Sequence, residues 1–275
     1  MTQPTVLPRR PDTPAEAYER FFVPAIFAPW AGELLRRAAP RAGERAFDLA
    51  CDTGAVARHL APLVGSAGRV VGLARSPEML AVARGLPSLG GAASTWCAGD
   101  AATLPFADGA FDLALCQQGL QFVADRATAA RELRRVLAPG GRTGVVVWRA
   151  AEHNPFFREV NETLARHTGG HAPLAPFSLG DEGELRSLLT DAGFRDVTVA
   201  QVALTVRFPC AADFLRLTVL STAASLPGLT GPAGAGDPEL VGALGHALSA
   251  TLRAHRVGRG LAVPTAAQIA FAKSS

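Results

Sequence analysis

The chain has 275 residues, 48% hydrophobic and 19% charged, with a net charge of +3. That is enough for one α/β core with an added cap, and too apolar for a disordered chain. The weak charge implies neither nucleic acid nor an anionic membrane as a partner, and no apolar run reaches spanning length.

No leader pattern opens the sequence, so the expected location is the cytoplasm. Cys51, Cys97, Cys116 and Cys210 are scattered, with no pair spaced for zinc or redox chemistry. The basic residues are almost all Arg, with Lys273 the single lysine, which reads as GC-rich coding and a bacterial source.

Residues 1–13 are rich in Pro and Arg. Tyr18, Phe21, Phe22, Ile26, Phe27 and Trp30 then recur at helical spacing. Pro24 and Pro29 are expected to break this pattern into two short helices. Arg45 to Leu49 is an apolar run ending in the small-residue turn Ala50-Cys51-Asp52-Thr53-Gly54, and Val56, Leu60, Leu63 and Val64 continue at helical spacing. A strand, a tight turn and a helix open a parallel α/β sheet. The crevice at the carboxyl end of such a strand is the usual place for a nucleotide-like ligand.

Arg69–Ala74 reads as the second strand, with Ser76 capping the next helix and Pro77 at its first position. Thr95–Ala101 is the third strand and Phe111–Cys116 the fourth, followed by Gln117, Gln118 and Gln121, whose amides both donate and accept. Arg126–Val136 is an amphipathic helix stopped by Ala138-Pro139-Gly140-Gly141, and Thr143–Trp148 is an apolar fifth strand. Beyond 150 the expectations are a helical stretch from His153, a helix from Asp181 to Ala192, a strand from Asp196 to Phe208, a helical insertion over 210–258 and a closing strand from Leu261 to Lys273. His167 and His171 lie four apart without a completing ligand, so no metal site is expected.

The run Asp48-Leu49-Ala50-Cys51-Asp52-Thr53-Gly54 resembles motif I of the class I S-adenosylmethionine (SAM) methyltransferases. The resemblance continues through 72–80, 99–106, 111–122 and 134–148. It implies a doubly wound, Rossmann-like α/β fold with a seven-stranded, mainly parallel sheet and an antiparallel last strand. It also implies lid helices over 1–40, a core over 41–150, and completion of the sheet over 151–275 with cap insertions at 151–180 and 209–258. SAM is the implied cofactor, with Asp48, Ala50, Gly54, Ala74, Asp100, Ala101 and Gln117 at the matching positions. Asp100 matches the residue that accepts from the adenine amino group.

Two positions depart from the pattern. Asp52 stands where relatives have glycine, and Ala74 stands where an acidic residue holds the ribose hydroxyls. Lost hydrogen bonds and a like-charge contact together amount to about 3–6 kcal/mol of weakened SAM binding. One reading is therefore a methyltransferase-like enzyme of bacterial natural-product metabolism, turned to a SAM-independent ring closure or rearrangement. In it Asp52, His153 and Gln118 are candidate catalytic groups, and Tyr18, Gln121 and Trp148 candidate substrate contacts. A second reading is SAM-dependent methylation of a small molecule. A third is a non-catalytic partner subunit, with a homo- or hetero-dimer formed through the helical cap (Phe214, Leu215, Leu217, Val219, Leu220).

Overall fold

Apolar runs that alternate with helical segments bury both faces only in a sheet covered by helices. The computed structural model describes residues 13–168, 175–215, 218 and 238–274. Its sheet comprises β1 (Arg45–Leu49), β2 (Arg69–Ala74), β3 (Ser94–Ala98), β4 (Phe111–Gln117), β5 (Leu137–Trp148), β6 (Arg195–Phe208), β7 (Arg256–Val257) and β8 (Gly260–Lys273). The strand order is β3-β2-β1-β4-β5-β8-β6, with β7 paired to β8. β1 to β5 are parallel, and β8 runs antiparallel between β5 and β6, as the resemblance implied. The chain turns from one side of β1 to the other between β3 and β4. The carboxyl ends of β1 and β4 therefore flank the topological switch point, where open α/β sheets hold ligands.

Several strand boundaries differ from expectation, and β3 ends at Ala98, three residues early. β5 starts at Leu137, because the Pro139–Gly141 stretch is absorbed by a register shift against β4 between Phe111 and Leu113. The short β7 forms a hairpin with β8 where helix was expected.

The N-terminal segment is also corrected. A short helix, α1 (Pro14–Ala17), runs into a π-helix over Tyr18–Phe27 and then α2 (Ala28–Ala38) without a break. Pro24 lacks an N–H and crowds the preceding turn. The wider π turn accommodates it, and the Ala28 N–H reaches back to Val23 O. Pro29 sits in the first turn of α2, where a proline costs little.

The remaining helices are α3 (Ala55–Val64), α4 (Pro77–Gly85), α5 (Arg126–Arg135), α6 (Pro155–Thr168), α7 (Glu182–Asp191), α8 (Pro238–Ala247) and α9 (Ser249–Ala254). Ser76, Asp125 and Asp181 cap α4, α5 and α7 by accepting from the backbone N–H of Met79, Thr128 and Glu184. Alternate strand residues feed two cores. Leu113 and Leu115 of β4 join Trp30, Leu34, Leu60 and Phe156 on one face, and Ala114 and Cys116 join Phe47, Leu133 and Leu189 on the other.

Phe214 packs on Phe208 and Phe156 with ring centroids 4.7 and 5.3 Å away. Phe214 and Leu215 are buried in this core and offer no docking face, while Leu217, Val219 and Leu220 lie outside the described residues, as does His171. Among the described residues no helix is long and apolar enough to cross a membrane, and no group of three or more His, Cys, Asp or Glu gathers to hold a metal.

Candidate functional site

The β1–α3 turn is built from backbone conformations that side chains rarely adopt. Ala50 (φ 58°), Asp52 (φ 48°) and Gly54 (φ 81°) are all left-handed. Asp tolerates this region better than most residues, so it can take a glycine position without rearranging the turn. Asp48 points away from the crevice. It is buried, and its carboxylate accepts the Ala57 N–H at 2.9 Å, holding the start of α3. Gly54 has a local reason too, since a Cβ there would come within 2.2 Å of the Trp96 ring. Neither Asp48 nor Gly54 lines a cavity described below.

Two cavities open at the carboxyl edge of the sheet. One, of about 520 Å³, runs along the ends of β1, β2 and β3 and is walled by Leu73, Ala74, Ser76, Asp100 and Ala101. The other, of about 480 Å³, lies beneath the π-helix and is walled by Tyr18, Phe27, Gln117, Gln118, Trp148 and Phe157. Ala50, Asp52, Gly119 and Phe122 belong to both walls. Asp52 therefore stands at the partition.

The electrostatics of the partition follow from burial. Desolvation lifts the Asp52 carboxyl to about 6, against a lowering from the Tyr18 hydroxyl, which donates to Asp52 Oδ2 at 3.2 Å. Burial, and then the negative charge of Asp52, push the Tyr18 phenol well above its ordinary value. Asp48 is lifted to about 8, chiefly by burial, while the Ala57 N–H opposes the shift. No guanidinium or ammonium pairs with Asp52 among the described residues. An ion pair of Glu19 with Arg58, at 2.7 Å, ties the π-helix to α3.

The glutamines divide. Gln117 Nε2 donates to Phe27 O at 2.9 Å, which leaves its buried Oε1 unpartnered. Gln118 is held by its own N–H to Val146 O at 2.7 Å with φ 51°, and both polar atoms of its buried amide lack a partner among the described residues. Gln121 is buried but lines neither cavity. His153 is exposed and pairs through Nε2 with Arg149 Nη2 at 2.8 Å, outside both walls.

The structure thus brings together Tyr18, Ala50, Asp52, Gln117, Gln118 and Trp148, with Ala74, Asp100 and Ala101 next door, and leaves His153, Gln121, Asp48 and Gly54 apart. Sequence reasoning missed Phe157, Asn161 and Phe177 as chamber walls. Nothing local marks them: Phe157 and Asn161 sit in the ordinary helical pattern of α6, and Phe177 closes a single 3-10 turn, Ala175–Phe177.

The strand-end cavity fits an adenosyl group. Its walls are apolar at Leu49, Leu73 and Val123, and Asp100 stands at its rim with Oδ1 accepting Ala102 N–H at 2.8 Å and Oδ2 left over. Ala74 contributes no acceptor there.

Comparison with known proteins gives a consistent picture. Residues 47–145 match the family described as a methyltransferase domain. A 2-phytyl-1,4-naphtoquinone methyltransferase of Synechococcus elongatus is 40% identical over 119 residues, 42% of this chain and 51% of the relative. A ubiquinone/menaquinone biosynthesis C-methyltransferase, UbiE, of Cronobacter sakazakii is 31% identical over 172 residues, 57% of this chain and 68% of the relative. The chain thus spans about half the length of the first of these relatives.

Solved structures share the fold. The phosphoethanolamine N-methyltransferase 2 of Haemonchus contortus aligns with TM-score 0.58 and 17% identity, over 94% of this chain and 56% of that one. The [4+2]-cyclase SpnF aligns with TM-score 0.52 and 23% identity, over 90% of this chain and 80% of that one.

Proposed function

This chain belongs to the class I SAM-dependent methyltransferase family, and from that premise we propose that it methylates a small, largely apolar acceptor. The observation that carries the reading is the pair of cavities meeting at Asp52, one suited to the adenosyl donor and one to the acceptor. Ala50, Ala74, Asp100 and Ala101 line the donor side. Tyr18, Gln117, Gln118 and Trp148 line the acceptor side, with Asp52 between.

Bound SAM supplies an electrophilic methyl group. The protein's own part is to hold two ligands in contact and keep water out, which supplies most of what such a transfer needs. Ala50, Gly119 and Phe122 form the shared wall, and aromatic rings line the acceptor side. Asp52, on the acidic side of neutral, can accept a proton released by the acceptor. The division into lid, core and cap belongs to this reading, with the π-helix as the lid.

The quinone-directed relatives favour methyl transfer over the SAM-independent ring closure expected from the sequence. Ring closure is kept as a second reading on one observation, Asp52 and Ala74 at the two places that grip the donor. The structural likeness to SpnF speaks for the fold alone. A partner-subunit role keeps no specific support, since Phe214 and Leu215 lie in the core.

Titration calorimetry with SAM and with its demethylated product tests the proposal. Micromolar binding of both supports it. Absence of binding, restored in D52G, moves the site to the second reading.

A further inference from the structure

The acceptor chamber has an unusual balance of polar groups. Among the described residues Asp52 is the only charged side chain in its wall. One carboxylate oxygen takes the Tyr18 hydroxyl, and no cation answers the charge. Gln117 adds a carbonyl oxygen with no partner, fixed in that orientation because its NH2 group is committed to Phe27 O. Gln118 adds an amide whose carbonyl oxygen and NH2 group both lack a partner among the described residues. A carboxylate without a counter-charge and a fixed carbonyl oxygen therefore stand in a space lined by the rings of Tyr18, Phe27, Trp148 and Phe157.

A desolvated carboxylate without a counter-charge is costly, and orphaned carbonyls add to that cost. Bringing in a group that donates several N–H bonds and carries a positive charge removes the imbalance, and aromatic faces attract such a charge as well. A neutral quinol offers two hydroxyl donors but no charge, and leaves the carboxylate unanswered.

We propose that the acceptor chamber recognises a protonated amine carried on an apolar, ring-bearing body, with Asp52 and the carbonyl oxygens of Gln117 and Gln118 receiving its N–H groups. This names a substrate class for the site assigned above and rests on that assignment for the word acceptor. The ammonium is the handle by which the ligand is held, and the atom that gains a methyl group is a separate matter.

The test is calorimetric titration, without SAM, with 2-phenylethylamine, whose ammonium carries three N–H groups, and with its carbon isostere, propylbenzene. The two share a shape and differ in the charged nitrogen. The amine is expected to bind at least about tenfold more tightly above pH 7, about 1.4 kcal/mol in favour of the charge. That preference should fade below about pH 6 as Asp52 takes a proton.

D52N should abolish the preference. Asn also tolerates the left-handed backbone and still accepts from Tyr18, so the turn is kept. Y18F leaves the carboxylate in place and should retain the preference at pH 8. Equal binding of amine and isostere overturns the proposal, as does a preference that survives in D52N, or absence of amine binding up to millimolar concentration. SAM is titrated separately: failure of SAM with amine binding intact removes the methyl-transfer reading and leaves this one standing.

Discussion

Tyr18 Oη lies 3.2 Å from Asp52 Oδ2, and this contact joins the π-helix to the β1–α3 turn across 34 positions of sequence. The hydroxyl donates, so it favours the ionised carboxylate against the burial that opposes it.

Removing that donor in Y18F should therefore move the Asp52 carboxyl above about 6. The acid side of any Asp52-dependent binding curve shifts to higher pH by the same amount. A carbon-13 NMR titration of the aspartate carboxyls reads this directly. An unmoved resonance would sink the idea that Tyr18 tunes this group.

Asp48 and Asp52 give stability a definite pH sign. Their folded values, about 8 and about 6, lie above the ordinary carboxylate range. A raised value means the proton is held more tightly in the folded state. The contribution is complete below the unfolded value near 4 and is lost as pH rises through 6 and then 8. Urea midpoints should fall between about pH 5 and 8. D48N, which keeps an oxygen for the Ala57 N–H, should flatten the upper half of that decline. A wild-type midpoint that rises over this range contradicts the assignment.

Ala74→Asp places a carboxylate in the wall of the strand-end cavity. If the cavity holds the donor, two hydrogen bonds to ribose become available, each worth roughly 1.5–3 kcal/mol. SAM affinity should rise by about tenfold or more in calorimetry. No change would mean that the ribose lies elsewhere.

Arg58 and Glu19 form a largely buried pair, and Glu19 Oε2 has no other partner among the described residues. R58A leaves that carboxylate uncompensated, at a cost of about 3 kcal/mol. The paired E19L/R58M variant should lose much less. Urea unfolding of the three proteins decides it, and equal losses would show that the pair does not fasten the π-helix.

Gly119 stands at the partition, where an added Cβ would come within 2.4 Å of Ala50 Cβ and 3.2 Å of Cys116 Sγ. G119A should cost about 1–3 kcal/mol. A50G should recover part of it, since it removes the clashing atom and relaxes a left-handed alanine. Additive losses across the double-mutant cycle would refute direct contact.

Much of the fold was written locally. Ser76 before Pro77, and Asp181 before an apolar period, specify helix starts through bonds spanning three residues. The strand pattern likewise gave the parallel core. Pro24 misled because a π turn absorbs a proline, here with Val23, Ala25 and Ile26 buried around it. The candidate site was partly legible: Asp52, Ala74, Asp100, Gln117 and Gln118 stood out because strand ends define the crevice, whereas Gln121, singled out with them, lines neither cavity.

The sequence by itself determined the alternation of strands and helices, the caps, and the unusual carboxylate in the β1–α3 turn. Periodicity and capping record interactions between residues a few positions apart. Only the tertiary structure decided that Tyr18, Asp52, Gln118 and Phe157 enclose one chamber while His153 turns outward to Arg149. Those residues are distant along the chain, and the packing of helices over the sheet edge, which no local pattern encodes, sets which of them meet.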